Sequence, residues 1–130
     1  MYTAPMTDTK TVLIVEDEPA VALALTDALS KEGFTIQTAK DGAEGLSQAL
    51  AGHPDIVITD LKMPNMTGLE MVEKLRADEW GKSAKVLILS NLSDLDTLQN
   101  AMEKGAFHYM VKGDSNMSDI VAAVKKQLGV

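Results

Sequence analysis

The chain has 130 residues, sets 12 Lys and Arg against 19 Asp and Glu for a formal net charge of −7, and is 45% apolar. That suffices for one core burying roughly two-thirds of the unfolded surface and is too little for two domains. The acidic balance argues against direct binding to nucleic acid or an anionic membrane, which rests on clustered Lys and Arg, and the lack of cysteine excludes disulfides, thiol catalysis and thiolate metal sites. With no signal-peptide core and no apolar run approaching the ~20 residues that span a bilayer, the expected location is the cytoplasm.

Residues 1–10 are polar, carry Pro5 and read as a flexible arm ahead of a single domain over 11–130. Val12-Leu13-Ile14-Val15 opens the fold as a strand, its unbroken apolar run marking burial on both faces. Val21, Leu25, Ala28 and Leu29 follow at helical spacing, with Gly33 where a helix should end. Residues 34–39 alternate and suit an edge strand; Ala43, Leu46 and Leu50 mark a second helix. Ile56-Val57-Ile58-Thr59 is a buried strand, Leu69, Val72 and Leu75 a third helix, and Val86-Leu87-Ile88-Leu89 another buried strand. Leu95, Leu98 and Met102 predict a fourth helix closed by Gly105, Tyr109-Met110-Val111 the last strand, again an unbroken apolar run that reads as covered on both faces, and Ile120, Val124 and Leu128 a fifth helix. Strands alternating with crossover helices predict a flavodoxin-like, doubly wound (βα)5 fold, α/β in class, with a parallel five-stranded sheet in the order 2-1-3-4-5. No repeat or linker breaks the pattern, and no effector domain is expected beside this one.

In such a sheet every carboxyl end faces one rim, where ligands bind. The residues just past the buried strands are Glu16 and Asp17, Asp60, Ser90 and Lys112, all polar. Taken singly, Glu16 and Asp17 read as solvated charges at a helix start, Ser90 as a loop cap and Lys112 as a snorkelling surface lysine; Asp60, set directly against an apolar strand, divides evenly between turn and site. Their coincidence at one rim is what points to chemistry. Three carboxylates against one ammonium leave the rim two charges negative, a state that recruits a cation. Oxygen donors without His or Cys suit Mg²⁺, with Mn²⁺ as its substitute. Asp60 could then act as a nucleophile toward a phosphoryl donor, with Lys112 and the Ser90 hydroxyl holding the incoming oxygens.

The motifs Val12-Leu13-Ile14-Val15-Glu16-Asp17-Glu18-Pro19, Asp55-Ile56-Val57-Ile58-Thr59-Asp60-Leu61-Lys62-Met63-Pro64 with Gly68-Leu69-Glu70, Ile88-Leu89-Ser90, Gly105-Ala106 and Tyr109-Met110-Val111-Lys112 together resemble the response-regulator receiver domains of two-component signalling. The resemblance implies that Asp60 accepts a phosphoryl group from a histidine kinase or phosphotransfer protein. It implies that Asp17, Asp60 and the Lys62 backbone carbonyl bind Mg²⁺, with Glu16 sharing the acidic pair. Ser90 would be the switch hydroxyl, Tyr109 the aromatic that turns inward when Ser90 engages the phosphate, and Lys62 and Asn91 positions that modulate rate. A downstream protein would meet the face formed by the fourth helix, fifth strand and fifth helix, and the chain would be a signalling phosphoacceptor that catalyses only its own phosphorylation and dephosphorylation. Two departures stand out. Asn91 replaces the usual small residue after the switch hydroxyl, and Gly113 replaces the proline after the lysine, so a trans Lys112-Gly113 bond is expected.

His53 and His108 read as surface or edge residues, Met63, Met66 and Met71 as core filling, and Trp80 as packed over the third helix. A receiver-like interaction module that works without phosphorylation is the alternative function. A flavin or nucleotide enzyme of the same fold ranks last, because acidic residues and no Gly-rich phosphate loop follow the first strand.

Overall fold

A computed structural model describes residues 9–91, 94, 96, 99, 103, 108–112 and 116–130. Its elements in chain order are β1 (Thr11–Val15), α1 (Pro19–Lys31), β2 (Thr35–Ala39), α2 (Gly42–Gly52), β3 (Ile56–Asp60), α3 (Gly68–Arg76), a 3-10 turn (Gly81–Ser83), β4 (Val86–Ser90), β5 (His108–Val111) and a C-terminal helix (Met117–Leu128). The strands form one parallel sheet in the order β2-β1-β3-β4-β5, as the alternating pattern predicts. The residues predicted to carry the fourth helix, Leu95, Leu98, Met102 and Gly105, lie outside the described residues, as do Gly113 and most of the N-terminal arm; Asp96, Gln99 and Glu103 are helical.

The period of two along each strand sends alternate side chains to opposite faces. Leu13, Val15, Val57, Val86 and Ile88 meet Ala49, Met71, Val72 and Leu75 of α2 and α3. Val12, Ile14, Ile56, Ile58, Leu87 and Leu89 meet Leu25 and Leu29 of α1 and Ile120 and Val124 of the C-terminal helix. Each fully buried Leu or Ile contributes roughly 1.5–3 kcal/mol. The edge strand β2 is buried only at Ala39, which explains its polar alternation; β5, expected to be covered on both faces, is instead the opposite edge of the sheet, with His108 and Tyr109 exposed and Met110 and Val111 half-buried. Met63 and Met71 are core residues and Met66 packs against them.

Expectation and structure part company on α2. The helix lies where predicted, but its buried residues are Gly42, Gly45 and Ala49, while Ala43 and Leu50 face solvent and Leu46 is half-buried. A Cβ on Gly45 would lie 2.8 Å from Val15 Cγ2 and 2.9 Å from Met71 Sδ. The helix approaches the sheet through its smallest side chains, so a reading that follows only large apolar residues selects the wrong face. Trp80 does pack against this core, and His53, which ends α2 in the left-handed region, stacks on it at 4.5 Å between ring centroids.

Candidate functional site

The strand ends do converge. Glu16 follows β1, Asp60 closes β3, Ser90 closes β4, and Lys112, just past β5, donates its backbone N–H to the Ser90 carbonyl at 2.7 Å. The Glu16 N–H donates to the Ala39 carbonyl at 2.9 Å, so the β1 end is tied to β2 as well. Glu16 is 4% exposed, Asp60 7% and Ser90 0%. Such burial of polar side chains is costly unless something pairs with them.

Most of the pairing is within the site. Lys112 Nζ donates to Asp60 Oδ2 at 2.9 Å and to Glu16 Oε2 at 3.3 Å. The Leu61 N–H donates to Asp60 Oδ1 at 2.7 Å, and the Glu18 N–H to Glu16 Oε1 at 3.2 Å. Burial raises the Glu16 carboxyl above its ordinary pKa; Lys112 and the Glu18 amide oppose that shift and the Asp60 charge reinforces it. Burial pulls the Lys112 ammonium down, but its hydrogen bond to Asp60 and the charges of Asp60 and Glu16 outweigh burial and raise its pKa. Lys112 is therefore a fixed cation.

The Ser90 hydroxyl is different: its Oγ is buried and has no hydrogen-bond partner among the described residues. An orphaned buried hydroxyl costs about 1–3 kcal/mol, a penalty removed when an oxygen arrives beside it.

One carboxylate oxygen from each of Glu16, Asp17, Glu18 and Asp60 lies within 4.8 Å of the others. An all-oxygen, mostly carboxylate set without nitrogen or sulfur fits a hard divalent cation such as Mg²⁺. Glu18 is the member that strand-end reasoning missed. It sits one residue beyond the acidic pair, and its N–H bond back to Glu16 folds it into the cluster.

The loop after β3 is fixed from the α2–α3 side. Gly68 opens α3, and a Cβ there would collide with the Asp60 carbonyl oxygen; its N–H donates to the Leu61 carbonyl at 2.8 Å. Thr67 and Glu70 form a reciprocal capping box at the start of α3. Asn65, in the left-handed region, donates to Asp41 Oδ2 at 2.8 Å, while Asp41 caps α2 by accepting from the Glu44 N–H.

Lys62 stands in this loop, its side chain turned to Asp94 at 2.7 Å. Asn91 is exposed, and its carbonyl accepts from the Asp94 N–H. Tyr109, on β5 opposite Ile88, is 48% exposed and stands two residues before the β5 partner of Ser90, Val111. Asp94 and Asp41 escaped sequence reading because their partners are fixed by tertiary structure, with no local pattern to mark them.

The family model for the response regulator receiver domain matches residues 12–125. Sporulation initiation phosphotransferase F of Bacillus subtilis is 30% identical over 117 residues, covering 90% of this chain and 92% of that protein. Hybrid signal transduction histidine kinase D of Dictyostelium discoideum is 38% identical over 87% of this chain, which spans only 7% of the kinase. Among solved structures, the chemotaxis response regulator CheY4 of Vibrio cholerae superposes with a TM-score of 0.85 at 28% identity, covering 92% of this chain and 98% of the other. A β2-β1-β3-β4-β5 sheet whose rim gathers Glu16, Asp17, Asp60, Ser90 and Lys112 thus agrees with the sequence match over nearly the whole chain, and the chain belongs to the family of response regulator receiver domains, the phosphoacceptor modules of phosphorelay signalling.

Proposed function

We propose that Asp60 is the phosphoacceptor and that the chain acts as a phosphorylation-controlled switch rather than as an enzyme on other substrates. One observation carries the reading. Asp60 is held on one oxygen by Lys112 and on the other by the Leu61 amide, at the rim where the Ser90 hydroxyl is buried without a hydrogen-bond partner among the described residues.

In this reading Asp17, Glu16, Asp60 and the Lys62 backbone carbonyl hold Mg²⁺, with Glu18 close enough to share it. A bound divalent cation supplies charge neutralisation, for the rim and for the phosphoryl oxygens. The chain's own groups do the rest. Asp60 presents a carboxylate oxygen in line with the donor, the Leu61 amide orients that carboxylate, and Lys112 transfers one hydrogen bond to the arriving phosphoryl group. The Ser90 hydroxyl gains its missing partner, and the gain biases β4 and the loop after it, with Tyr109 following inward. Asn91, exposed beside Ser90, is placed to modulate access.

The donor is a histidine kinase or a phosphotransfer protein, a reading supported by relatives named as a hybrid histidine kinase and a phosphotransferase. The surface of β5 and the C-terminal helix, with the predicted fourth helix, meets a downstream protein. The domain occupies 11–130 behind an arm over 1–10, which accords with the matched segment 12–125. No helix among the described residues is long and apolar enough to cross a membrane, and we place the protein in the cytoplasm, free of nucleic acid on the ground of its charge.

The test is intact-protein mass after incubation with acetyl phosphate, with and without Mg²⁺. Wild type gains one phosphoryl group only with Mg²⁺, and Asp60→Asn gains none. If wild type stays unmodified, the phosphorylation-independent interaction module replaces this reading.

A further inference from the structure

Among the described residues, a second lysine, Lys62, follows the acceptor closely in the chain, and it is already engaged. Lys62, two residues beyond Asp60, has a side chain 69% exposed, yet its ammonium sits 2.7 Å from a carboxylate of Asp94 that is only 2% exposed. The Asp94 N–H is in turn tied to the Asn91 carbonyl at 3.0 Å. The pair therefore runs from the loop after β3 to the loop after β4, the two loops that follow Asp60 and Ser90. The asymmetry matters. A nearly buried carboxylate needs its cation, because an unpaired buried charge is strongly unfavourable. An exposed ammonium does not need its carboxylate, because water solvates it well. Asp94 thus captures Lys62, on a rim where Glu16, Asp17, Glu18 and Asp60 already repel an anionic donor.

Building on the acceptor reading above, we propose that Asp94 is a positioning residue for phosphoryl uptake: it holds the Lys62 ammonium on the loop after β4, keeping it away from the incoming phosphoryl group and slowing the reaction. With acetyl phosphate as donor, a bond forms between an Asp60 carboxylate oxygen and phosphorus. The bond from phosphorus to the acetyl oxygen breaks, and acetate leaves with the electron pair. The donor arrives anionic, so a freed Lys62 strengthens encounter and binding.

The experiment measures the rate of phosphoryl gain at Asp60 by intact mass, with acetyl phosphate and Mg²⁺, in wild type, Asp94→Asn, Asp94→Glu, Lys62→Met and the Lys62→Met/Asp94→Asn pair. Asp94→Asn should raise the rate by about fivefold, the scale of one coupled contact, mainly through tighter donor binding. The gain should shrink as salt is added. Asp94→Glu should restore the slow rate, and in the Lys62→Met background Asp94→Asn should change nothing. ¹⁵N NMR of the Lys62 ammonium, run without any donor, should show it ordered in wild type and freely exchanging in Asp94→Asn. An unchanged rate in Asp94→Asn, an equal rise in the Lys62→Met background, or a Lys62 ammonium already free in wild type overturns the proposal. Failure of wild type to gain any phosphoryl group overturns the acceptor reading, and this role with it.

Discussion

The two faces of the sheet are held by different means. On the α2–α3 face the contacts are backbone-close: Gly45 rests on Val15 and Met71, Gly68 on the Asp60 carbonyl, and the Gly42 N–H donates to the Met66 carbonyl at 3.0 Å. On the other face, Leu25, Leu29, Ile120 and Val124 fill a core beneath a groove of about 690 Å³ lined by Ala24, Ala28, Val121 and Ala122. Above that core, Lys125 reaches Glu32 at 3.0 Å, an ion pair at the surface. Close packing fixes position because nothing can shift without a collision, whereas apolar bulk under an open groove stabilises without fixing position so finely. The close-packed face is the one from which the acceptor loop leaves the sheet. Precision is placed where Asp60 needs it.

Gly68→Ala attacks that arrangement most directly. The new Cβ meets the Asp60 backbone carbonyl, which can yield only by moving the acceptor. The expected cost is about 3 kcal/mol or more, the upper range for overpacking, read as a lower urea midpoint, together with a loss of phosphoryl gain at Asp60 larger than the stability loss explains. Retained stability and rate would show that α3 does not set the acceptor's position.

Gly45→Val tests the same face further from the site. Val15, β-branched and in a central strand, cannot move far, although Met71 can partly adapt. A loss of about 1–3 kcal/mol is expected, measured by urea unfolding, with the rate of phosphoryl gain retained in the folded fraction.

Asp41 should give a smaller effect with a distinct pH signature. The Glu44 N–H and then the Asn65 amide favour its charged form and lower its pKa below the ordinary 3.8. A lowered folded value means that the contribution of Asp41 is fully present above the unfolded value and fades as pH falls through the folded one. Asp41→Ala should therefore lower the urea midpoint at pH 7, and the gap to wild type should close below pH 3.8. A gap of constant size at acid pH would mean that the carboxylate charge plays no part in the cap.

Much of this was legible in the sequence, and the exceptions share a cause. Unbroken apolar runs located β1, β3 and β4, and strand ends then named Glu16, Asp60, Ser90 and Lys112, because a parallel sheet converts separation along the chain into proximity at the rim. The buried face of α2 was not legible, since glycines at 42 and 45 carry no hydrophobic signal and act through what they lack. Asp94 was not legible either. Its meaning depends on Lys62, 32 positions earlier and joined to it only by the packing of β3 against β4.

Ala24→Leu should have the smallest effect, and it is the counterpart of Gly45→Val. Ala24 is exposed and lines the groove between α1 and the C-terminal helix. Leucine forms helix nearly as well as alanine, and the groove has space for its side chain, so the change in unfolding free energy should stay within about 0.5 kcal/mol. A similarly sized insertion is thus expected to be costly on one face of the sheet and almost silent on the other. A loss comparable with that of Gly45→Val would erase the distinction, since it would show the groove to be closed in solution and the two helices to meet as tightly as α2 and α3.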